Sequence, residues 1–134
     1  MRKFKLVVNT NRERYPILIG TNLITNLSNI LKDNSIKFKQ CLLVIDKNVP
    51  KINVIKLKQS LKNKKIYIHS ITANEKNKNQ KNVDKIIELL LIKNFSRQDC
   101  LISIGGGITG DLSGFAASLF KRGLQFINIP TTLL

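Results

Sequence analysis

The sequence is poor in the residues from which metal centres and disulfide frameworks are built. Its 134 residues include one histidine, His69, and two cysteines, Cys41 and Cys100. A catalytic zinc takes about three protein ligands, so no metal site can be assembled from this chain alone. The two cysteines lie far apart and each opens an apolar run. That is no ligand spacing, and it marks two small buried side chains in a reducing compartment. Long hydrophobic runs are also missing: the longest, 86–92, is interrupted by Glu88 and is too short to span a bilayer, so no membrane partner is expected. From Met1 to Asn9 charged and apolar residues alternate, without the apolar core or cleavage site of an export signal, and the expectation is a cytoplasmic protein.

Acidic residues are scarce as well. Eight Asp and Glu face 23 Lys and Arg, a net charge of +15. Such a field favours anionic partners in general. The lysines, however, are scattered among Asn and Ile, and no aromatic residues interleave with them as a stacking platform for single strands requires. No specific nucleic-acid partner is expected; a phosphorylated small molecule gains from the same field.

What remains is an ordinary globular composition, 43% hydrophobic and 23% charged, in a length that suits one domain over 1–134 or part of a larger one. Two short alternating strands, Lys3 to Asn9 and Tyr15 to Ile19, open the chain as a hairpin-like pair. A helix is expected from Gly20-Thr21 to Asp33, with Ile24, Leu27 and Leu31 as its stripe. Cys41 to Ile45 is a continuous apolar run of the kind buried on both faces of a parallel sheet. Helices over 51–61 and 83–94 then alternate with strands at Lys65 to Ile71, Leu101 to Ile104 and Phe126 to Ile129. Leu112, Phe115, Ala116 and Leu119 mark a further helix. The order predicts an α/β fold, a Rossmann-like, mostly parallel sheet with helices on both faces.

Chemistry concentrates between Ser103 and Ala117. Gly105-Gly-Gly-Ile-Thr-Gly110 fits G-x-G-x-x-G, with a buried strand before it and an amphipathic helix after it, the setting in which backbone N–H groups cradle a dinucleotide pyrophosphate. The usual dehydrogenase fingerprint also places the motif in the first βαβ unit, with an acidic residue about 20 positions on. Here the motif comes late and no Asp or Glu follows Asp111, which disfavours an ordinary Rossmann dehydrogenase. Asp46, Glu75, the glycine run and Thr131-Thr132 all follow strand ends and should gather at one rim of the sheet. By spacing alone Asp46 serves equally well as a turn or cap residue, Asp111 as a complement to the helix dipole, and Arg122 as an anion clamp or a solvated charge.

The stretch GGGITGDLSGFAASLFKRGLQFINIPTTLL, Gly105 to Leu134, closely resembles the nucleotide-binding region of the 3-dehydroquinate synthase family. Arg14-Tyr-Pro-Ile, Asp46-Lys-Asn-Val, and Glu75 with Lys78 agree with it in order. The resemblance implies an NAD-dependent lyase of the shikimate pathway to chorismate, which cyclises the sugar phosphate 3-deoxy-D-arabino-heptulosonate 7-phosphate to 3-dehydroquinate with release of phosphate. It implies that Asp46 and Asn48 contact the adenosine ribose and that Glu75 and Lys78 flank the cofactor. Gly106, Gly107, Ile108 and Asp111 would meet pyrophosphate and ribose, Thr131 and Thr132 the nicotinamide half, and Arg122 the substrate phosphate. The sequence departs from the family most at Ala73-Asn74, where a small acidic, glycine-containing turn is common.

The family continues beyond the equivalent of Leu134 into a lysine-bearing loop and a helical domain, whose carboxylate and two histidines hold a divalent metal, zinc or cobalt. The resemblance therefore implies an incomplete chain, inert by itself and a homodimer when complete, with Leu119, Phe120, Leu133 and Leu134 on the face that meets the helical half. Other sugar-phosphate cyclases share most of these features. Metal-dependent polyol and alcohol dehydrogenases share the glycine run and the Asp, though not typically Gly114-Phe-Ala-Ala with Arg122-Gly and Pro130-Thr-Thr. A basic remnant that only binds nucleotide or nucleic acid is the non-enzymatic alternative.

Overall fold

Alternation of apolar residues between two cores organises this molecule, whose computed structural model describes residues 3–131. The chain begins with β1 (Lys3–Asn9) and β2 (Arg14–Gly20), then runs α1 (Leu27–Asp33), β3 (Gln40–Asp46), α2 (Lys51–Ser60), β4 (Lys65–Ile71), α3 (Gln80–Ile92), β5 (Cys100–Gly105), α4 (Gly107–Leu119) and β6 (Gln125–Pro130). β1 and β2 form a separate antiparallel pair, while β4-β3-β5-β6 is a four-stranded sheet whose neighbours are all parallel.

β3 and β5 lie in the middle of that sheet, which is why their sequences are apolar without interruption. Leu42, Val44 and Leu101 point to a core shared with α3 and α4, through Val83, Ile86, Leu90, Leu112 and Ala116. Cys41, Leu43, Ile45, Cys100, Ile102 and Ile104 point the other way, onto α1 and α2 through Leu27, Leu31, Leu57 and Leu61. Helices thus cover both faces, as expected. Both cysteines are free and buried, and burial pushes the Cys41 thiol up to about 12, which keeps it protonated and inert.

Two local expectations need correction. The first helix begins at Leu27 rather than at Thr21: Asn22 sits at φ 56°, a left-handed conformation that a helix cannot pass through, and residues 23–26 form a turn before the helix starts. The stripe expected along α4 is split. Leu112 and Ala116 are buried, but Phe115 and Leu119 stand 48% and 50% exposed, whereas Phe120, expected on an open face, is only 2% exposed. α4 meets the sheet through small residues: a Cβ on Gly110 would lie 3.1 Å from Asn128 Oδ1, and one on Gly114 would lie 3.2 Å from the Phe126 ring. Large side chains do not fit there and turn outward. Phe120 turns inward because the helix breaks just after it, with Lys121 and Arg122 at φ 44° and 67°. Leu133 and Leu134 lie outside the described residues.

Candidate functional site

From β3 the chain crosses to β4 on one side, then returns to place β5 on the other. This makes the carboxyl ends of β3 and β5 the switch point at which open α/β sheets form a crevice. Asp46 closes β3 and Gly105 closes β5, and the two are packed together. A Cβ built on Gly105 would lie 2.9 Å from the Asp46 Cβ and 2.7 Å from Thr109 Oγ1, closer than side chains tolerate. Glycine is required at 105 by this crowding. The Gly105 carbonyl accepts the Thr131 N–H at 2.8 Å, and the Ile71 carbonyl accepts the Lys47 N–H at 2.9 Å, so the ends of all four strands are tied at one rim.

Asp46 Oδ1 accepts the Asn48 N–H at 3.0 Å, a turn that fixes one carboxylate oxygen. The Asn48 side chain is exposed beside it. Gly106 is the N-cap of α4 in extended conformation, and among the described residues no side chain caps the helix. The first N–H groups of a 13-residue helix are therefore offered outward, at the positive end of its dipole. Among the described residues, a Cβ on Gly107 would meet nothing within 4 Å, so the space above the helix start is open. Ile108 turns inward against the α3–α4 core.

The other wall comes from the segment after β4. Asn74 caps a short 3-10 turn, Glu75–Asn77, by accepting the Asn77 N–H, and Asn79 caps α3 by accepting the Asn82 N–H. These asparagines give Ala73-Asn74 a defined path without the glycine that the family commonly has there. Beyond the turn, Lys78 Nζ lies 3.0 Å from Asp111 Oδ2, so the loop is joined to the second turn of α4. That hydrogen bond, reinforced by the charge of Asp111 and less by Glu75, holds the Lys78 ammonium above its ordinary pKa. Both side chains are largely exposed, and they flank a groove of about 270 Å3 lined also by Gln80, Val83 and Phe115. In chemical terms the rim offers N–H donors and an ammonium for phosphate, and carboxylates for sugar hydroxyls.

Asp46, Asn48, Glu75, Lys78, Gly106, Gly107, Ile108, Asp111 and Thr131 thus all lie at the carboxyl rim of the sheet or in the loops leaving it, and Thr132 lies outside the described residues. Arg122 is not with them. It sits in the link from α4 to β6, where Gln125, in register with Cys100, bonds the Gln98 carbonyl. That is the opposite rim, so any phosphate contact by Arg122 belongs to a different surface from the glycine corner. The sequence reading passed over Thr109, which is wholly buried, has a hydroxyl without a partner among the described residues, and crowds the position a Cβ on Gly105 would take, as Asp46 does. Its place four residues after Gly105, inside the first turn of α4, was the available signal. Among the described residues no three His, Cys, Asp or Glu side chains cluster to hold a metal, and no helix is long and apolar enough to cross a membrane.

Fold and corner together define a Rossmann-like α/β domain of the class that receives nucleotides at a strand-order switch point. A family model described as 3-dehydroquinate synthase N-terminal matches residues 68–134, half of the chain, and the chain belongs to that family. The 3-dehydroquinate synthase of Pelagibacter ubique is 60% identical over 134 residues, covering 100% of this chain and 36% of that protein. Among solved structures, 2-deoxy-scyllo-inosose synthase has the same fold, with a TM-score of 0.85 at 21% identity over 96% of this chain and 36% of the other. A 2-epi-5-epi-valiolone synthase from Streptomyces hygroscopicus, solved with NAD+ and Zn2+ bound, gives a TM-score of 0.67 at 28% identity over 84% and 31%. The chain spans about a third of the length of the curated relatives it matches.

Proposed function

We propose that the chain is the NAD-binding domain of a 3-dehydroquinate synthase. The complete protein would convert 3-deoxy-D-arabino-heptulosonate 7-phosphate to 3-dehydroquinate and phosphate. Family membership supports this reading, and one structural observation carries it: Asp46 is packed against Gly105 at the switch point, beside a helix start that no side chain caps and above which Gly107 leaves open space. In this reading the N–H groups after Gly106 and Gly107, with Lys78, bind pyrophosphate. Asp46, Asn48 and Asp111 bind ribose hydroxyls, Glu75 borders the loop side, and Thr131 with Thr132 borders the nicotinamide end. NAD bound there supplies the hydride acceptor and donor for a transient oxidation of the substrate. Thr109 and Gly105 keep the strand end and the helix start in close contact, so that the donors are aligned before the cofactor arrives.

The divalent ion, zinc or cobalt, is assigned to the part of the complete protein that the relatives have and this chain does not span. A homodimer and a cytoplasmic location belong to the same reading. Asp46 also decides between cofactors, since a carboxylate at the adenosine ribose accepts from the 2′-hydroxyl of NAD and repels the 2′-phosphate of NADP. Calorimetric titration of the purified chain should therefore give at least tenfold tighter binding of NAD than of NADP, about 1.4 kcal/mol, and Asp46→Ala should erase the difference. Equal affinity in the parent chain refutes the assignment of Asp46. A steady-state assay on the purified chain should yield no dehydroquinate, and turnover would show that no further domain is needed.

A further inference from the structure

A second cavity has no place in the nucleotide reading. Its volume is about 220 Å3, and it shares only Leu112 with the groove beside Lys78 and Asp111. β4 contributes His69, the loop after it Thr72 and Asn77, and α3 Asn82 and Lys85. The wall is braced from within. Asn77 Nδ2 donates to the Thr72 carbonyl at 2.8 Å, and Asn82 Nδ2 donates to the Asn77 carbonyl at 2.7 Å, so loop and helix are fastened together before any ligand arrives. His69 and Lys85 are the only titratable residues of the lining, and both are bases. Lys85 has no carboxylate partner, since the one ion pair among the described residues joins Lys78 to Asp111. Burial, and then the Lys85 ammonium, hold the His69 imidazole below its ordinary range: a second positive charge is disfavoured in a space that no carboxylate lines.

We propose that the cavity between His69 and Lys85 is a binding site for a tetrahedral oxyanion of the phosphate class, separate from the cofactor corner. Charge and size both select this ligand. An anion placed there accepts charge-assisted hydrogen bonds from the Lys85 ammonium and from the His69 ring once it is protonated. A dianion balances both cations, whereas a single carboxylate balances one. Pockets for drug-sized ligands begin at about 300 Å3, so a nucleotide is too large for this space, while phosphate with its attendant waters fits. The net charge of +15 raises the local concentration of such ions. The site does not depend on NAD, and its failure leaves the cofactor reading untouched.

His69 is the only histidine of the chain, so its ring resonances in NMR report the cavity without overlap. Sulfate is the first probe, because its charge stays constant over the range in which histidine titrates, about pH 5 to 8. With ionic strength held constant by chloride, saturating sulfate should raise the midpoint of the His69 titration by about one pH unit, a tenfold preference for the protonated ring. Lys85→Met should abolish this response, and in chloride alone it should raise the midpoint, since a repelling charge is gone. Lys56→Met, which removes an exposed cation from α2, should keep the full response. A midpoint that sulfate leaves in place, or that moves equally in Lys85→Met, overturns the proposal. Saturable amide shifts confined to Gly106 and Gly107 overturn it too, by placing the anion at the start of α4. Inorganic phosphate and glycerol 3-phosphate then separate the two sources of the same chemistry. Tighter binding of the first assigns the cavity to the free ion, tighter binding of the second to a phosphomonoester, and binding of neither overturns the assignment.

Discussion

Gly105 and Gly107 stand two residues apart in one motif, yet the structure assigns them opposite duties. At Gly105 an added Cβ would come within 2.7 Å of Thr109 Oγ1 and 2.9 Å of both the Asp46 and Thr109 Cβ atoms. Neither neighbour is the far end of a flexible side chain, so α4 or β3 must shift. Gly105→Ala should therefore cost about 1 to 3 kcal/mol, the range for overpacking, and lower the Tm by roughly 3 to 12 °C. A Cβ added at Gly107 would meet nothing within 4 Å among the described residues. Alanine there lowers the entropy of the unfolded chain and should leave stability unchanged or raise it by about 0.4 to 1 kcal/mol. In the proposed site its methyl group instead occupies the approach of the pyrophosphate. A thermal-shift assay with and without NAD separates the two effects. At a concentration of 100 times the parent dissociation constant, NAD adds about 2.7 kcal/mol to the parent chain; a tenfold loss of affinity in Gly107→Ala reduces this to about 1.4 kcal/mol. If Gly107→Ala keeps the full NAD-dependent shift, the diphosphate does not sit at the start of α4. If Gly105→Ala melts with the parent, the packing argument fails.

Other expectations follow from single contacts. Asp111→Asn removes an exposed ion pair and should leave the Tm unchanged while weakening NAD binding about tenfold by calorimetry, because Lys78 loses the partner that positions it; a drop in Tm with intact binding would make the pair structural. Burial, with a smaller contribution from the ammonium of Lys85, holds the His69 imidazole below its ordinary range. Unfolded chains then bind more protons than folded ones just below pH 6.5, so this group makes stability fall on acidification through that window. His69→Gln should flatten the difference between urea midpoints at pH 7 and pH 5, and an unchanged difference contradicts the argument. Ile102 is fully buried in the middle of the sheet, and Ile102→Ala should cost about 2 to 5 kcal/mol in urea unfolding; a loss below about 1 kcal/mol would mean that the site collapses around the smaller side chain.

Much of this arrangement was legible in the chain. Cys41 to Ile45 and Leu101 to Ile104 reveal central strands because both faces of each must be apolar, and a turn-rich segment after every such run marks the rim at which ligands collect. Gly105 announces a corner because its crowding leaves no room for a Cβ. Less was legible where packing reverses the usual rules. Along α4 the buried residues are mostly small, Thr109, Ser113, Ala116 and Ala117 beside Leu112, and Gly110 and Gly114 face β6, so a search for large apolar side chains also picks out Phe115 and Leu119, which are about half exposed. The start of α1 was misplaced because the left-handed turn at Asn22 leaves no mark in hydrophobic periodicity. Pairing of Lys78 with Asp111, from segments more than thirty positions apart, is a product of tertiary structure alone. Placement of Arg122 at the far rim follows from α4 running back along the sheet, which spacing could have suggested.

A backbone amide NMR titration of the chain with NAD puts the central claim to the most direct test. Shifts should concentrate at Gly106, Gly107, Ile108 and Asp111, and at Asp46, Asn48, Lys78 and Thr131, with Gln98, Lys121 and Arg122 unmoved. Saturable shifts at the rim of Gln98 and Arg122, or none at the start of α4, would contradict it.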